Sequence, residues 1–131
     1  MGFKLGSEKR QIRNSKNTPI IRKSLEEGIL GEANMDGSIY IDKSVPKNSA
    51  LEKKVIAHES QHVKDMSSGN LSYADEYVRH SGSTYPRKDG KIKYNGEWRE
   101  EGWKDFPWEK LAYKVGGKAK KEAEKKNTKN K

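Results

Sequence analysis

The pattern of apolar and polar positions predicts a helix between residues 49 and 69. Ser49 and Glu52 have the spacing of a capping box, and Gly69 is a typical C-terminal stop. At about 100° per residue, one set of positions falls within an arc about 100° wide, with Lys53 on the opposite face. These inward positions are Leu51, Val55, His58, Glu59, His62 and Met66. The helix is therefore expected to bury two histidines and a glutamate together with apolar side chains.

A β-hairpin is predicted directly before this helix, over residues 29–42. Asp36-Gly37 is a strong tight-turn signal, and the β-rich run 38–42 follows it. Residues 20–28 form either a short strand or a helical turn, and their pattern does not decide between the two.

A second, shorter helix is predicted over residues 71–80, because Ser72 and Asp75 have N-cap spacing. Residues 81–90 are expected to form a polar loop. Ile92 and Tyr94 then alternate with polar residues in a half-buried strand over 91–98, with an irregularity at Asn95-Gly96.

A third helix is expected to begin at Pro107, since proline is tolerated in a first turn, and to fade at Gly116-Gly117. Together these elements indicate a single compact α+β domain with a small antiparallel sheet packed on the helix that starts after Ser49.

Composition and charge set the limits of this domain. Of the 131 residues, 36% are charged and only 31% are hydrophobic. Residues 1–24 and 114–131 each carry a net charge of +6, which leaves 25–113 at −3 within a total of +9. We therefore predict a flexible basic arm at 1–19, a folded domain at 20–116 and a Lys-rich tail at 117–131. The sequence has no apolar signal-peptide core and no run of about 20 apolar residues, which predicts a soluble protein without membrane contact.

The histidines and the glutamate of the first helix form an H-E-x-x-H motif, His58-Glu59-Ser60-Gln61-His62. Residues four apart on a helix project in nearly the same direction, so both imidazoles can reach one Zn²⁺ ion. Glu59 lies beside the pair, where it can accept a proton from water that the metal activates. Buried histidines can also be ordinary hydrogen-bonded core residues.

A zinc site with two histidines needs a third protein ligand, and the chain has no cysteine to supply it. Glu109 is the preferred candidate because it lies in the first turn of a helix and has the small Ala112 nearby. The alternatives are Glu97, Glu100, Glu101 and His80.

The motifs HESQH at 58–62 and PWEKLAY at 107–113 resemble those of gluzincin-type metallopeptidases, in which a glutamate on a later helix completes the zinc site. The order of elements over residues 29–115 is also similar to that of small metallopeptidase-like proteins encoded by tailed bacteriophages. This chain has Tyr113 where larger gluzincins often have an aspartate four residues after the ligand glutamate. The resemblance implies a minimal zincin-like fold, zinc-dependent cleavage of peptide or protein substrates, and a location in the host cytoplasm or the phage virion.

The resemblance further implies that substrate lies along an exposed edge strand formed by the residues after the Asp36-Gly37 turn. These are Ser38, Ile39, Tyr40, Ile41 and Asp42. Tyr77, His80 and Tyr113 are candidates for stabilising the oxyanion, and the sequence does not choose among them. The alternative hypothesis is an inactive structural virion protein whose basic arms contact nucleic acid or other virion proteins.

Overall fold

The residues that the structure describes fold into two helices and two small sheets, which confirms the predicted α+β class. A computed structural model describes residues 2–6 and 18–129, with side chains up to residue 126. In chain order the elements are β1 (Gly2–Leu5), β2 (Ile20–Lys23), β3 (Ile29–Ala33), β4 (Ile39–Asp42), α1 (Ala50–Ser67), β5 (Leu71–Ala74), β6 (Tyr77–His80), β7 (Ser83–Lys88), β8 (Lys91–Tyr94), β9 (Glu97–Glu100) and α2 (Pro107–Lys129). No helix in these described ranges is long and apolar enough to cross a membrane.

The first four strands form sheet A in the order β1-β3-β4-β2. The predicted hairpin is confirmed, because β3 and β4 pair antiparallel across the Asp36-Gly37 turn. Residues 20–28, for which the pattern allows either a strand or a helical turn, contain strand β2, which pairs parallel with β4. The expectation that Ser38–Asp42 forms an exposed edge strand is therefore wrong. β4 is an inner strand, and its residues Ile39 and Ile41 are fully buried.

Helix α1 begins and ends as its sequence predicts. The Ser49 hydroxyl accepts the Glu52 N–H at 3.0 Å, while the Glu52 carboxylate accepts the N–H of Asn48, one residue earlier than an ideal capping box would have it. Gly69, with a φ of 85°, follows the last turn. Every predicted inward residue is buried except Leu51, which is partly exposed.

Residues 71–100 form sheet B, a meander of β5 to β9, so the helix predicted over 71–80 and the polar loop predicted over 81–90 are both wrong. The Ser72–Asp75 spacing imitates a helix cap, but Leu71, Tyr73 and Val78 instead occupy the buried face of a hairpin. The later turns have positive φ at two successive residues, as tight hairpins require. These turns are Ser81-Gly82, Asp89-Gly90 and Asn95-Gly96.

Helix α2 begins at Pro107 as predicted but continues through the two glycines to Lys129. Gly116 does not end the helix, because it is the point of closest approach to α1. A Cβ atom there would lie 3.0 Å from the Lys54 carbonyl oxygen and 3.4 Å from the His58 Cβ. Most of the predicted Lys-rich tail is thus a helical extension that packs antiparallel to α1.

The N-terminal arm predicted at 1–19 is wrong where it meets β1. Phe3 and Leu5 are both buried, and β1 pairs parallel with the outer side of β3. Residues 7–17 of the predicted arm lie outside the described residues. Two apolar residues that alternate with Lys4 bury the inward face of this strand in the core.

Two apolar clusters meet at β1 and α1. Leu5 joins the cluster beneath sheet B, which includes Met66, Phe106 and Trp108. Phe3 joins the cluster beneath sheet A, which includes Ile39 and Val55. The polar residues of α1 lie where these clusters adjoin.

Candidate metal centre

The two histidines of the α1 motif meet Glu109 of α2 in the protein interior. One carboxylate oxygen of Glu109, Oε1, lies 2.8 Å from Nε2 of His58 and 3.0 Å from Nε2 of His62. Potential ligand atoms of His58, Glu59 and His62 also lie within 4.8 Å of one another. The residues that the sequence selects as metal ligands and general base are therefore brought together.

The crossing of the two helices makes this convergence possible. Glu109 lies two turns before Gly116, whose lack of a side chain lets α2 approach the backbone of α1 at Lys54. Pro107 begins the helix close to the site, so the carboxylate projects from its first turn. Close helix packing rather than a loop holds Glu109 against the histidines.

Glu59 packs against sheet A on the other side of the helix. A Cβ atom on Gly31 of β3 would lie 2.7 Å from Oε2 of Glu59, so only glycine leaves room for this carboxyl group. The group is fully buried, and neither of its oxygens has a hydrogen-bond partner among the described residues. A carboxyl group that is buried without a hydrogen-bond partner lowers the stability of the folded state. Proteins keep such groups mainly where they have a function.

Burial and charge move the pKa values of these groups in opposite directions. Burial and the nearby carboxylates of Glu109 and Glu32 raise the pKa of Glu59 well above its ordinary value. Burial alone would also raise the pKa of Glu109, but the imidazoles of His62 and His58 lower it to about 2. Burial lowers the pKa of His58. These shifts favour the ionised form of Glu109 and the uncharged forms of His58 and Glu59.

An ionised carboxylate only accepts hydrogen bonds, so the imidazoles donate to Glu109 from Nε2. The opposite ring nitrogens, Nδ1 of His58 and Nδ1 of His62, are buried without a hydrogen-bond partner among the described residues. A metal ion at Nε2 would require these protons to move to Nδ1.

The donor set fits a metal ion. Ligand atoms held 2.0–2.1 Å from Zn²⁺ lie about 3.3 Å apart in a tetrahedron, so the two contacts of Oε1 of Glu109, at 2.8 and 3.0 Å, would each lengthen by a few tenths of an ångström. The unpartnered Nδ1 atoms depart from the usual pattern, in which each ligand histidine donates this N–H to an acceptor.

Aromatic rings close the site from the side of β1. The Phe3 ring stacks on the His58 ring with centroids 3.8 Å apart, and Tyr113 meets the same imidazole edge-on at 4.7 Å. The Tyr113 hydroxyl donates to the carbonyl of Gly102. Burial and the carboxylates of Glu109 and Glu59 raise the pKa of Tyr113 to about 12.

Several residues that the sequence suggests for the site lie elsewhere. Tyr77 is exposed on β6, and His80 contacts Asn70 and the ring of Trp108. The alternative carboxylate ligands point away: Glu97 pairs with Arg99, Glu101 pairs with Arg87, and Glu100 is exposed on β9. Of the three oxyanion candidates, only Tyr113 touches a residue of the centre.

Three residues that shape the site were missed in the sequence analysis: Phe3, Gly31 and Gly116. A glycine inside a strand often marks a close approach by another element, so Gly31 had a usable signal. Gly116 was read as a helix terminator although an isolated glycine in a helix can also mark close packing. Nothing local distinguishes Phe3, because its role depends on residues more than 50 positions away.

No family model, curated protein or solved structure matches this chain. The functional argument therefore depends on the geometry of the site.

Proposed function

We propose that this protein is a zinc-dependent peptidase with His58, His62 and Glu109 as metal ligands. The observation that carries the proposal is the position of one Glu109 oxygen within 3.0 Å of both Nε2 atoms, beside the unpartnered carboxyl group of Glu59. A structural centre with His58, His62 and Glu109 as ligands has no need of a second buried carboxyl group. An H-E-x-x-H peptidase does, because it uses that glutamate for proton transfer.

Bound to these ligands, Zn²⁺ would supply Lewis acidity for a peptide carbonyl and for the attacking water. Glu59 accepts the proton of that water and then donates it to the nitrogen of the departing amine. The raised pKa of Glu59 makes its carboxylate a stronger proton acceptor than an ordinary glutamate, which supports its role as the general base.

Tyr113 is the residue we favour for stabilising the negative charge that develops on the carbonyl oxygen of the substrate. Its ring touches His58, and its raised pKa keeps the phenol protonated as a hydrogen-bond donor. To act in this way the hydroxyl must leave the Gly102 carbonyl, to which it donates in this structure.

The likeness of these motifs to gluzincins and to small metallopeptidase-like phage proteins supports the same reaction class. It also favours a place in the host cytoplasm or the virion.

The decisive experiment compares the wild-type protein with Glu59→Gln. The variant keeps the shape and hydrogen-bonding capacity of the side chain, but an amide cannot take a proton from water. We expect about one zinc per chain in both proteins, and a cleavage rate about 10² to 10⁴ lower in the variant on a mixed peptide library read by mass spectrometry. Equal cleavage by both proteins would indicate a contaminating protease, and zinc-loaded protein that cleaves nothing would contradict the proposal.

A second candidate function, polyanion binding, is favoured by the exposed face of α2. Five exposed lysines lie within an arc of about 80° and span about 22 Å of the helix. They are Lys110, Lys114, Lys118, Lys121 and Lys125. Such a lysine stripe suits salt-dependent contact with nucleic-acid phosphates or an acidic virion protein, and it does not need a metal.

A further inference from the structure

A peptidase must bring its substrate to Glu59, but strand β1 closes the route. The side chains of His58, Glu59, His62 and Glu109 are at most 2% exposed, and Phe3 of β1 lies flat on His58. β1 is a four-residue strand at the outer edge of sheet A, and among the described strands it pairs only with β3. Displacing β1 would therefore open the site without disturbing the pairing between β3 and β4.

The register of β1 places it at the level of the proposed general base. Phe3 pairs with Gly31 of β3, and Gly31 is the residue against which the Glu59 carboxyl group packs. A peptide that took the place of β1 on the edge of β3 would thus carry its backbone past Glu59. Strand addition of this kind supplies main-chain hydrogen bonds to any extended peptide.

β1 fills this place with both the side chain and the backbone of Phe3. Its aromatic side chain covers His58, while the carbonyl oxygen of Phe3 lies close to Gly102, where a Cβ atom would approach it to 2.6 Å. Glycine at position 102, with a φ of 86°, is what allows the β1 backbone to pass so closely.

A few side chains hold the strand from outside the sheet. The Arg87 guanidinium donates to the carbonyls of Leu5 and Gly6 at 2.8 and 3.2 Å, and it pairs with Glu101. Lys4 lies 3.3 Å from Glu32 of β3 and 2.6 Å from Glu26. These contacts are local to β1, so they can break together while the rest of the core stays folded.

We propose that Gly2–Leu5 is a releasable cover, and that the β3 edge beneath it binds an extended substrate peptide with an aromatic side chain in the place of Phe3. The cavity that Phe3 fills, between the His58 face and the Tyr113 edge, gives this preference for an aromatic ring. The inference rests on the proposed peptidase function, since it names the substrate and the regulation of that same site.

A cross-link between β1 and β3 tests the cover in the full chain. Lys4 and Glu32 are register partners, neighbouring strands have the Cα separation that a disulfide needs, and the chain has no cysteine to interfere. The oxidised variant Lys4→Cys/Glu32→Cys is compared with Lys4→Ser/Glu32→Ser, which lacks the same ion pair but has no cross-link. Arg79→Cys/Thr84→Cys, which joins β6 to β7, controls for a disulfide elsewhere.

Two measurements, the rate of zinc loss and the rate of peptide cleavage, distinguish the covering role of β1 from the catalytic function of the site. With zinc loaded before oxidation, the β1–β3 cross-link should slow zinc loss to excess chelator at least tenfold relative to the serine variant. It should also slow peptide-library cleavage at least tenfold, and the cleaved peptides should be enriched in aromatic residues near the cut. The β6–β7 cross-link should change neither rate.

Equal rates of zinc loss with and without the β1–β3 cross-link would contradict the proposal that β1 is a releasable cover. Slower zinc loss with unchanged cleavage would overturn the peptide-binding role of the β3 edge. If neither the wild-type protein nor any variant cleaves peptides, the peptidase function itself is contradicted. The rates of zinc loss would then test alone whether β1 covers the site.

A second variant avoids dependence on the cross-link. Phe3→Ala should speed zinc loss at least tenfold, while Ile21→Ala, on the exposed edge strand at the opposite side of sheet A, should leave it unchanged. Equal zinc loss in Phe3→Ala and the wild-type protein would likewise count against the cover.

Discussion

At the residue scale, Glu109 is the side chain on which the candidate metal centre depends, because a single oxygen touches both histidines. Glu109→Ala should lower zinc affinity by more than about 100-fold, whereas Glu97→Ala and His80→Ala should stay within about tenfold of the wild type. Competition with a chromophoric chelator measures all three. Retained affinity in Glu109→Ala together with loss in His80→Ala would assign the third ligand to histidine instead.

Glu59 gives a second prediction at this scale, for protein stripped of metal. Its pKa is raised in the folded state, so the folded protein keeps a proton that the unfolded chain releases above about pH 4.3. Wild-type stability should therefore fall as pH rises from about 4 towards 7, relative to Glu59→Gln, which does not titrate. We expect the difference in unfolding free energy between the two proteins to shift in favour of the variant by about 1 kcal/mol or more between pH 4 and pH 7.

Urea unfolding of both proteins at pH 4 and pH 7 measures this difference. Other titrating groups are common to the two proteins and largely cancel. A stability difference that does not change with pH would show that burial does not shift the pKa of Glu59 upwards.

At the element scale, the approach of α2 to α1 at Gly116 positions Glu109. Gly116→Leu should force the helices apart, lower stability by about 1 to 3 kcal/mol and weaken zinc binding at least tenfold. Gly117 offers a matched control, because a Cβ atom there meets nothing within 4 Å. Gly117→Leu should instead stabilise the protein by about 0.5 to 1 kcal/mol through helix propensity.

Thermal unfolding and zinc titration of the two variants test this contrast. Similar effects of the two substitutions would mean that helix propensity, rather than close packing, explains the glycines.

The elements that could be predicted from sequence are those with local signals. The cap at Ser49, the Asp36-Gly37 turn and Pro107 each act within a few residues, so α1, the β3–β4 hairpin and the start of α2 were predicted correctly. The same local logic failed at Ser72–Asp75, where buried alternation in a hairpin outweighed a cap-like pair. Helical spacing correctly placed His58 and His62, the proposed metal ligands, on one face of α1, where both contact Glu109.

What could not be predicted depends on pairing between distant segments. The parallel pairing of β2 with β4 covers the strand we expected to bind substrate, and no feature within residues 38–42 signals it. β1 is held by Arg87 and passes Gly102, which lie more than 80 positions away. Contacts of this kind produce no hydrophobic periodicity that could be recognised in a short polar segment.

At the scale of the whole molecule, the charge of the C-terminal region is organised by α2 rather than spread along a solvated tail. Replacing the lysine stripe by glutamine should abolish retention on DNA at low salt and reduce the log–log salt slope of binding by up to about 4. Zinc content should not change. The stripe is Lys110, Lys114, Lys118, Lys121 and Lys125.

A control with the same net charge replaces five exposed lysines on other surfaces, which should alter binding much less. These are Lys43, Lys47, Lys88, Lys93 and Lys104. Equal loss in both variants would indicate that total charge, rather than the stripe, attracts the polyanion.

The Arg87 contacts also set an order of events during synthesis. β1 precedes Arg87, Glu101 and Gly102, which hold it or let it pass, by about 80 to 100 residues in the chain. At about 5 to 20 residues per second, β1 waits several seconds on the ribosome before these contacts can form. Glu109 follows within a few residues. The proposed metal ligands and the contacts that hold β1 are therefore completed at nearly the same moment, so a metal ion would have to enter at that point of synthesis or after β1 is next displaced.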